Sequence, residues 1–431
     1  MESTGSAHLS LHGLLDAAED AAPVQAVEAT TASICEALSC SDVALLIADT
    51  SGRALVRLTH TAADRTGPPG GADEGRMRRD VRENAFTIPF DDGPADRAMR
   101  EQAVEVLPPG AWPHQVALGT VWTLLAPVIE RGEALGLLEV SLPEEPTPAV
   151  VRDVARTAHA LGYVLVASRR HTDVYEWGQR TTPFSLSAEI QRRLLPPAYT
   201  CEGGAFTLSA WLEPAATVGG DSFDYTVDRD VLHLSMTDAM GHGVASSLTA
   251  TLCVSSLRNT RRRGLSVEEQ AGATNAAMLE HAATGGREDF CTGVVGRVDL
   301  ATGVLGVVNA GHVPPYLVRD GHAQVVALPA DLPFGMLPGA RYRRTEVPLR
   351  PGDRLVLVTD GMLERNATAL DLPSIIEGTR HLHPREATRA LADEVLRVTG
   401  QELADDATVL VLDWHGGHGE GRDTTAGSLN G

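Results

Sequence analysis

Apolar residues recur at intervals of three and four from Leu9 to Leu38, the spacing of one helix face. The pattern then changes period. Asp42-Val43-Ala44-Leu45-Leu46-Ile47-Ala48 is a short apolar run closed by Asp49-Thr50-Ser51-Gly52, and Ala54-Leu55-Val56-Arg57-Leu58 follows it, which predicts a β-hairpin. A second hairpin is predicted from Val121–Val128 and Leu135–Val140 across Glu130-Arg131-Gly132-Glu133. Between the hairpins, Thr61 to Met77 is rich in Gly, Pro and charge and reads as a mobile loop. Helical periodicity returns over Val150 to Ser168, and Arg169 to Trp177 are expected to continue that helix into a linker. Ser187 to Leu195 form a second, short amphipathic helix, stopped by Pro196-Pro197 because proline cannot continue the hydrogen-bond ladder.

Helix, hairpin, long middle, hairpin and helix describe a small α+β domain. With its apolar strand, its Arg131-Gly132-Glu133 turn and its Gly136-Leu137-Leu138-Glu139-Val140 strand, this stretch resembles a GAF domain. The resemblance implies a sensor whose ligand, if it has one, is a small molecule. No chromophore-type cysteine motif and no convincing haem ligand is evident, while His60, His114 and His159 remain open. The helix at 187–195 reads either as a tether or as an element that passes a signal or pairs two protomers, so a homodimer stays open.

From Phe206 to Leu412 the pattern is mainly of strands: Phe206–Trp211, Val231–Met236, Thr292–Val298, Val304–Val308, Leu355–Val358 and Thr408–Leu412. One helical region, Val244 to about His281, interrupts them. Alternation with Gly-rich turns predicts stacked antiparallel sheets flanked by helices. Four aspartates sit at strand ends and glycine turns of this frame. They are Asp221 in Val218-Gly219-Gly220-Asp221, Asp238 in Asp238-Ala239-Met240-Gly241-His242-Gly243, Asp360 in Asp360-Gly361, and Asp405 in Asp405-Asp406-Ala407-Thr408. Carboxylates on tight turns supply oxygen ligands at fixed positions, as hard divalent cations require. One such turn usually just faces solvent; four in order make a metal-dependent phosphatase the leading reading.

The ordered set Val-Gly-Gly-Asp, Asp-x-x-Gly-His-Gly, Asn-Ala-Gly-His (Asn309–His312), Asp-Gly-x-x-Glu (Asp360–Glu364) and Asp-Asp-x-Thr resembles the PPM (type-2C) protein phosphatases. It is most similar to the bacterial branch of stage II sporulation protein E and the sigma-B regulator phosphatases, which Leu194-Leu195-Pro196 also suits. The resemblance implies two Mn²⁺ or Mg²⁺ ions. Asp238 would bridge them with the Ala239 carbonyl as a further ligand, Asp221 would bind one ion directly or through water, and Asp360 and Asp405 would complete the other. Ser222 and Phe223 replace the aromatic pair often found after the first aspartate, a departure expected at the pocket lip, while Asp224 keeps the acidic position. The implied substrate is a phosphorylated STAS-type anti-anti-sigma protein in a partner-switching pathway. The expected fold class is α+β: a GAF-like domain at 1–175, a helical linker at 176–197, an α-β-β-α sandwich at 198–414 and a disordered tail at 415–431.

Composition narrows the alternatives. At 431 residues, two domains are the natural expectation. A net charge of -21 argues against nucleic acid and anionic membrane as partners. The five cysteines are scattered without paired spacing, and neither a signal segment nor an ~18-residue apolar run is evident, so a cytoplasmic protein is expected. Cys291 and Arg297 stand at Cys-x5-Arg spacing, but the residues between them read as strand, against a cysteinyl-phosphate route. His242 and His312 are candidates for proton transfer or for capping and loop orientation; His233 is expected to pack in a strand and Arg261-Arg262-Arg263 to be a solvated helix end. Asp406 and Thr408 are expected to orient ligands rather than to be ligands. Two rival functions remain: a phosphatase of small phosphoesters, and a catalytically silent module that senses a ligand and docks a partner.

Overall fold

The computed structural model describes residues 11–50, 52–62, 87–114, 119–180, 185–214, 219–285, 289–363, 371–399, 403 and 405–416, without the side chains of 59–62, 284 and 285. The expected loop from residue 63 onward, Val218, Glu364, the His60 side chain and the tail beyond 416 lie outside the described residues. Two compact units result, one ending at 183 and the other beginning at 184.

The first unit runs α1 (Leu11–Asp20), α2 (Ala26–Leu38), β1 (Asp42–Ala48), β2 (Ala54–Ala62), β3 (Thr87–Pro89), α3 (Pro94–Glu101), β4 (Glu105–Leu107), β5 (Trp122–Glu130), β6 (Glu133–Leu142), α4 (Pro148–Ser168) and α5 (Val174–Gln179). Its antiparallel sheet has the order β3-β2-β1-β6-β5-β4, so both expected hairpins form. Arg131 and Gly132 take positive φ (46° and 84°), which gives a tight two-residue connection whose twist matches the strands. Val43, Leu45, Ile47, Leu124, Ala126, Leu138 and Val140 alternate onto one face and pack with Val27, Ile34, Val154, Leu161 and Leu165 of α2 and α4.

Two helix expectations need correction. The single helix over Leu9–Leu38 is broken into α1 and α2, because Pro23 has no N–H to donate and the chain turns there, Gln25 N–H bonding the Ala22 carbonyl (2.7 Å). Likewise α4 does not continue to Trp177. Its last bonds tighten to three-residue turns (Arg170 to Ala167, His171 to Ser168), and α5 starts afresh with Thr172 Oγ1 accepting from Val174 N–H (3.3 Å).

The second unit runs α6 (Leu186–Leu194), β7 (Thr200–Glu202), β8 (Phe206–Glu213), β9 (Asp221–Asp228), β10 (Val231–Ala239), α7 (Val244–Arg262), α8 (Val267–Gly285), β11 (Cys291–Asp299) and β12 (Val304–Ala310). Then come β13 (Tyr316–Arg319), β14 (His322–Val325), β15 (Thr345–Pro348), β16 (Arg354–Val358), a 3₁₀ turn at Asp360–Leu363, α9 (Leu372–Gly378), α10 (Pro384–Thr399) and β17 (Ala407–Trp414). One antiparallel sheet has the order β15-β12-β11-β10-β9 and the other β14-β13-β16-β17-β8-β7.

Strand alternation builds four layers. Leu355, Leu357, Leu410 and Leu412 point between the sheets, meeting Leu232, Leu234, Met236, Val294 and Val307. Their neighbours Val356, Val358, Val409 and Val411 point outward to Ile376, Leu391 and Val395 of α9 and α10. Val295, Val308 and Ala310 point the other way, under Ala250, Cys253, Val254 and Met278 of α7 and α8. Each fully buried Leu or Val contributes roughly 1.5–3 kcal/mol, so the layers are held chiefly by this alternation. The result is the expected α-β-β-α sandwich.

The helix expected in the linker, α6, packs within the second unit. Ser185 Oγ accepts from Ala188 N–H at its start, and at its end Arg258 of α7 donates to the Leu194 carbonyl (2.7 Å). Among the described residues no helix is long and apolar enough to cross a membrane.

Candidate metal centre

Asp221 is the first residue of β9 and Asp238 the penultimate residue of β10; the antiparallel register sets them directly opposite each other. The sequence placed Asp221 on a glycine turn, and the strand that it opens was not foreseen. Ala239 N–H donates to the Gly220 carbonyl (3.2 Å), and a Cβ at Gly220 would lie 2.3 Å from the Ala239 oxygen. Only glycine permits that approach. In the other sheet Asp360 opens the 3₁₀ turn after β16, and Asp405 stands two residues before β17. A Cβ at Gly361 would lie 2.0 Å from the Asp406 carbonyl oxygen, so the segments carrying Asp360 and Asp405 also touch through a glycine. Strand ends from both sheets therefore build one rim.

Hydrogen bonds tie the rim together. Asp221 Oδ2 accepts from Thr359 Oγ1 (2.7 Å) and from Thr408 Oγ1 (2.6 Å), which joins β9 to the opposite sheet. Thr408 N–H in turn donates to Thr359 Oγ1 (3.0 Å). Asp406 Oδ2 accepts from Gln191 Nε2 (2.6 Å) and from Gly219 N–H (3.0 Å), and the Gln191 amide also reaches the Asp221 carbonyl (3.0 Å). Asp405 Oδ1 accepts from Asp406 N–H (2.8 Å). Asp406 and Thr408 thus hold other aspartates in place. Thr359 and Gln191 do the same and were missed: Thr359 could have been found beside Asp360-Gly361, whereas Gln191 reads in sequence as one more polar position of an amphipathic helix.

The carboxylates share one electrostatic field. Asp221 is pushed well above the usual carboxylate range by burial, then by Asp238 and Asp406, with the two threonine hydroxyls opposing. Asp238 rises to about 7 through burial and the charges of Asp360, Asp405 and Asp406. Asp405 is raised by burial and Asp360, against the Asp406 amide and His242. Buried, mutually repelling oxygen donors suit a hard divalent cation. Among the described residues no three His, Cys, Asp or Glu side chains close into a cage for an ion.

The family model of stage II sporulation protein E (SpoIIE) matches residues 228–415, which contain Asp238, Asp360 and Asp405. Over these residues the second unit is similar to the SpoIIE family. The phosphoserine phosphatase RsbU of Bacillus subtilis (strain 168) is 22% identical over 233 residues, 53% of this chain and 68% of RsbU. The RsbU and RsbW domains of a Mycobacterium tuberculosis protein are 24% identical with a TM-score of 0.44, covering 55% of this chain and 65% of that one. The PP2C domain of SiaA from Pseudomonas aeruginosa is 24% identical with a TM-score of 0.44, covering 52% of this chain and 93% of that domain. The chain thus spans about two thirds of the first two relatives. Asp221 and Gln191 lie ahead of the residues that the SpoIIE model matches.

Around this rim, several expectations change. Ser222 and Phe223 are not at a pocket lip: Ser222 bonds Thr237 (2.8 Å) and Phe223 is buried between the sheets. Arg261 is not a solvated helix end, since Arg258 and Arg261 both pair with the buried Asp224 (2.8 Å each) and lock α7 to β9. His242 is exposed in the glycine turn. His312 is buried, and Thr292 Oγ1 lies 2.8 Å from its Nδ1; Thr292 faces Asp238 in the β10–β11 register. Burial lowers His312 to about 4, the Val358 carbonyl opposing, so it is neutral near pH 7 and orients the Thr292 strand end. His233 is likewise lowered to about 4 by burial, Arg261 and Arg297, with Asp228 opposing. Cys291 lies in strand β11, fully buried, its thiol pushed up by burial and by Cys253, which is the reverse of an activated nucleophile.

Proposed function

We propose that the protein is a cytoplasmic, divalent-cation-dependent protein serine/threonine phosphatase whose first unit is a GAF-like sensor. Its substrate would be a phosphorylated STAS-type anti-anti-sigma protein. The carrying observation is the Asp221–Asp238 pair across β9 and β10, linked through Thr359 and Thr408 to the sheet that carries Asp360 and Asp405. In this reading Asp221, Asp238, Asp360, Asp405 and the Ala239 carbonyl would hold two Mn²⁺ or Mg²⁺ ions. The ions, when bound, would supply a water acidic enough to attack phosphorus and would offset charge on the phosphoryl oxygens. The protein's own part is orientation. Thr359 and Thr408 occupy Asp221 Oδ2 and leave Oδ1 for an ion, Gln191 fixes Asp406 next to Asp405, and His312 holds Thr292 opposite Asp238.

A protein substrate is favoured over a small ester by the apolar surface beside this rim. Met240, Val244 and Leu248 stand exposed where the chain leaves Asp238. Met336 and Leu337 stand exposed just after Phe334, which pairs with Cys291 opposite Ala239. Apolar groups clustered on a surface mark docking sites. The test is phosphate release, with Mn²⁺, from a phosphorylated STAS protein and from p-nitrophenyl phosphate. Strong preference for the protein supports this reading; equal use supports small-ester hydrolysis, and no release from either supports a silent module. A chain beginning at residue 184 should bind Mn²⁺ as before with altered turnover; unaltered turnover would contradict the sensor role.

A further inference from the structure

One face of the first unit's sheet changes character along its strands. At one end Leu46, Leu55, Leu125 and Leu137 pack with Met99 and Trp112. Two or four residues along, on the same face, stand Asp42 of β1, Thr123 of β5, and Glu139 and Ser141 of β6. The register puts Asp42 opposite Ser141 and Ser141 opposite Thr123, so these three form a row across adjacent strands, about 5 Å from one to the next. All are buried, Asp42 and Thr123 at 1% exposure and Ser141 at 0%.

Glu139, beside the row, bonds Arg57 (2.9 Å), whose same nitrogen donates to the His114 carbonyl (2.7 Å). Asp42 differs. Among the described residues, both its oxygens are buried without a side-chain partner, and Thr123 Oγ1, Ser141 Oγ and Trp112 Nε1 are buried without a hydrogen-bond partner. Trp112 meets His114 edge-on, 5.1 Å between ring centroids, which places it beside the carbonyl that Arg57 holds. Buried polar atoms are almost always paired, and an unpaired buried carboxylate is among the costliest exceptions. Burial and Glu139 push the Asp42 carboxyl up to about 7; the Arg57 charge and the Val43 amide oppose this.

We infer that the Asp42–Ser141–Thr123 row is the floor of a ligand site, and that its ligand is a small molecule carrying an ammonium or amidinium group. Such a group offers several N–H donors to the two Asp42 oxygens and the two hydroxyls, and its charge offsets the carboxylate. Water would satisfy the hydrogen bonds but not the charge. An anion is disfavoured by Asp42 and Glu139. A divalent ion would find a single carboxylate in the row, Asp42, because Glu139 pairs with Arg57 (2.9 Å). This site is independent of the phosphatase reading.

The test is thermal unfolding of the full chain with agmatine, putrescine or ethanolamine, and with succinate as the anionic control. At least one amine or amidine should raise Tm by several degrees and saturably, as a ligand of the native state must. Asp42→Asn should abolish the shift, and Thr123→Val, which keeps shape and removes a hydroxyl, should weaken the apparent affinity at least tenfold. The distant Glu394→Gln should leave it intact. No shift with any of the three, an equal shift in Asp42→Asn, or an equal shift with succinate would overturn the inference.

Discussion

Both units bury aspartates, and they treat them in opposite ways. In the second unit particular oxygens have assigned donors: two threonine hydroxyls on Asp221 Oδ2, an amide side chain and a backbone N–H on Asp406 Oδ2. What stays uncompensated there is charge, because Asp238, Asp360 and Asp405 repel one another. In the first unit, among the described residues, no side chain donates a hydrogen bond to Asp42. Hydrogen bonds orient a carboxylate, but only a cation offsets several at once; a cluster of oriented, mutually repelling carboxylates suits a metal. A single bare carboxylate with hydroxyls in register suits an organic cation instead.

Matched crowding in the two units is the severest way to test that contrast. A Cβ at Gly136 would lie 2.0 Å from the Leu46 carbonyl oxygen, just as one at Gly361 meets Asp406. Either glycine-to-alanine change should cost on the order of 3 kcal/mol, read from the denaturant midpoint of the affected unit. Gly136→Ala should leave Mn²⁺ affinity of the folded protein unchanged, and Gly361→Ala should destroy it; equal effects on Mn²⁺ would break the comparison. Next in size, Gln191→Ala should weaken activation by Mn²⁺ by roughly 10–100-fold, as the loss of an outer partner of metal carboxylates does. A Mn²⁺ titration of activity measures it.

Asp42 sharpens the contrast through pH. Its carboxyl titrates at about 7 when folded against 3.8 ordinarily, so between those values the folded protein holds the extra proton and stability falls as pH rises. Without a bound amine, Asp42→Asn should flatten that fall and gain on the order of 2 kcal/mol at pH 8, seen in denaturant melts at pH 4, 6 and 8. The smallest expected effect is that of Cys291→Ala. Phosphate release should stay within about threefold, because a buried neutral thiol is not a nucleophile; a loss of activity without a loss of fold would revive the cysteinyl route.

Much of the frame was legible because strands announce themselves by period two. The β10, β11, β16 and β17 cores were all found, and so was the α6 helix. What escaped was settled by distant partners. The β9 segment Asp221–Asp228 looks too polar for a strand, yet Ser222 finds Thr237 across the sheet and Asp224 finds Arg258 and Arg261 on α7. The four-residue strands β13, β14 and β15 are too short to show a period. Gln191 is buried through its bonds to Asp406 and the Asp221 carbonyl, 215 and 30 residues away, which no local pattern encodes. Pro23 did carry a local signal, and the helical period around it masked the break.

The central claim is that the aspartates of the second unit work as one cation-dependent phosphatase centre. The most direct measurement is a Mn²⁺ titration of phosphate release from p-nitrophenyl phosphate by the full chain, wild type beside Asp238→Asn, with the fold of each confirmed by circular dichroism. The account predicts saturable dependence on Mn²⁺ in the wild type and a fall of at least about 100-fold in the variant. Release that ignores Mn²⁺, or that survives in Asp238→Asn, would contradict it.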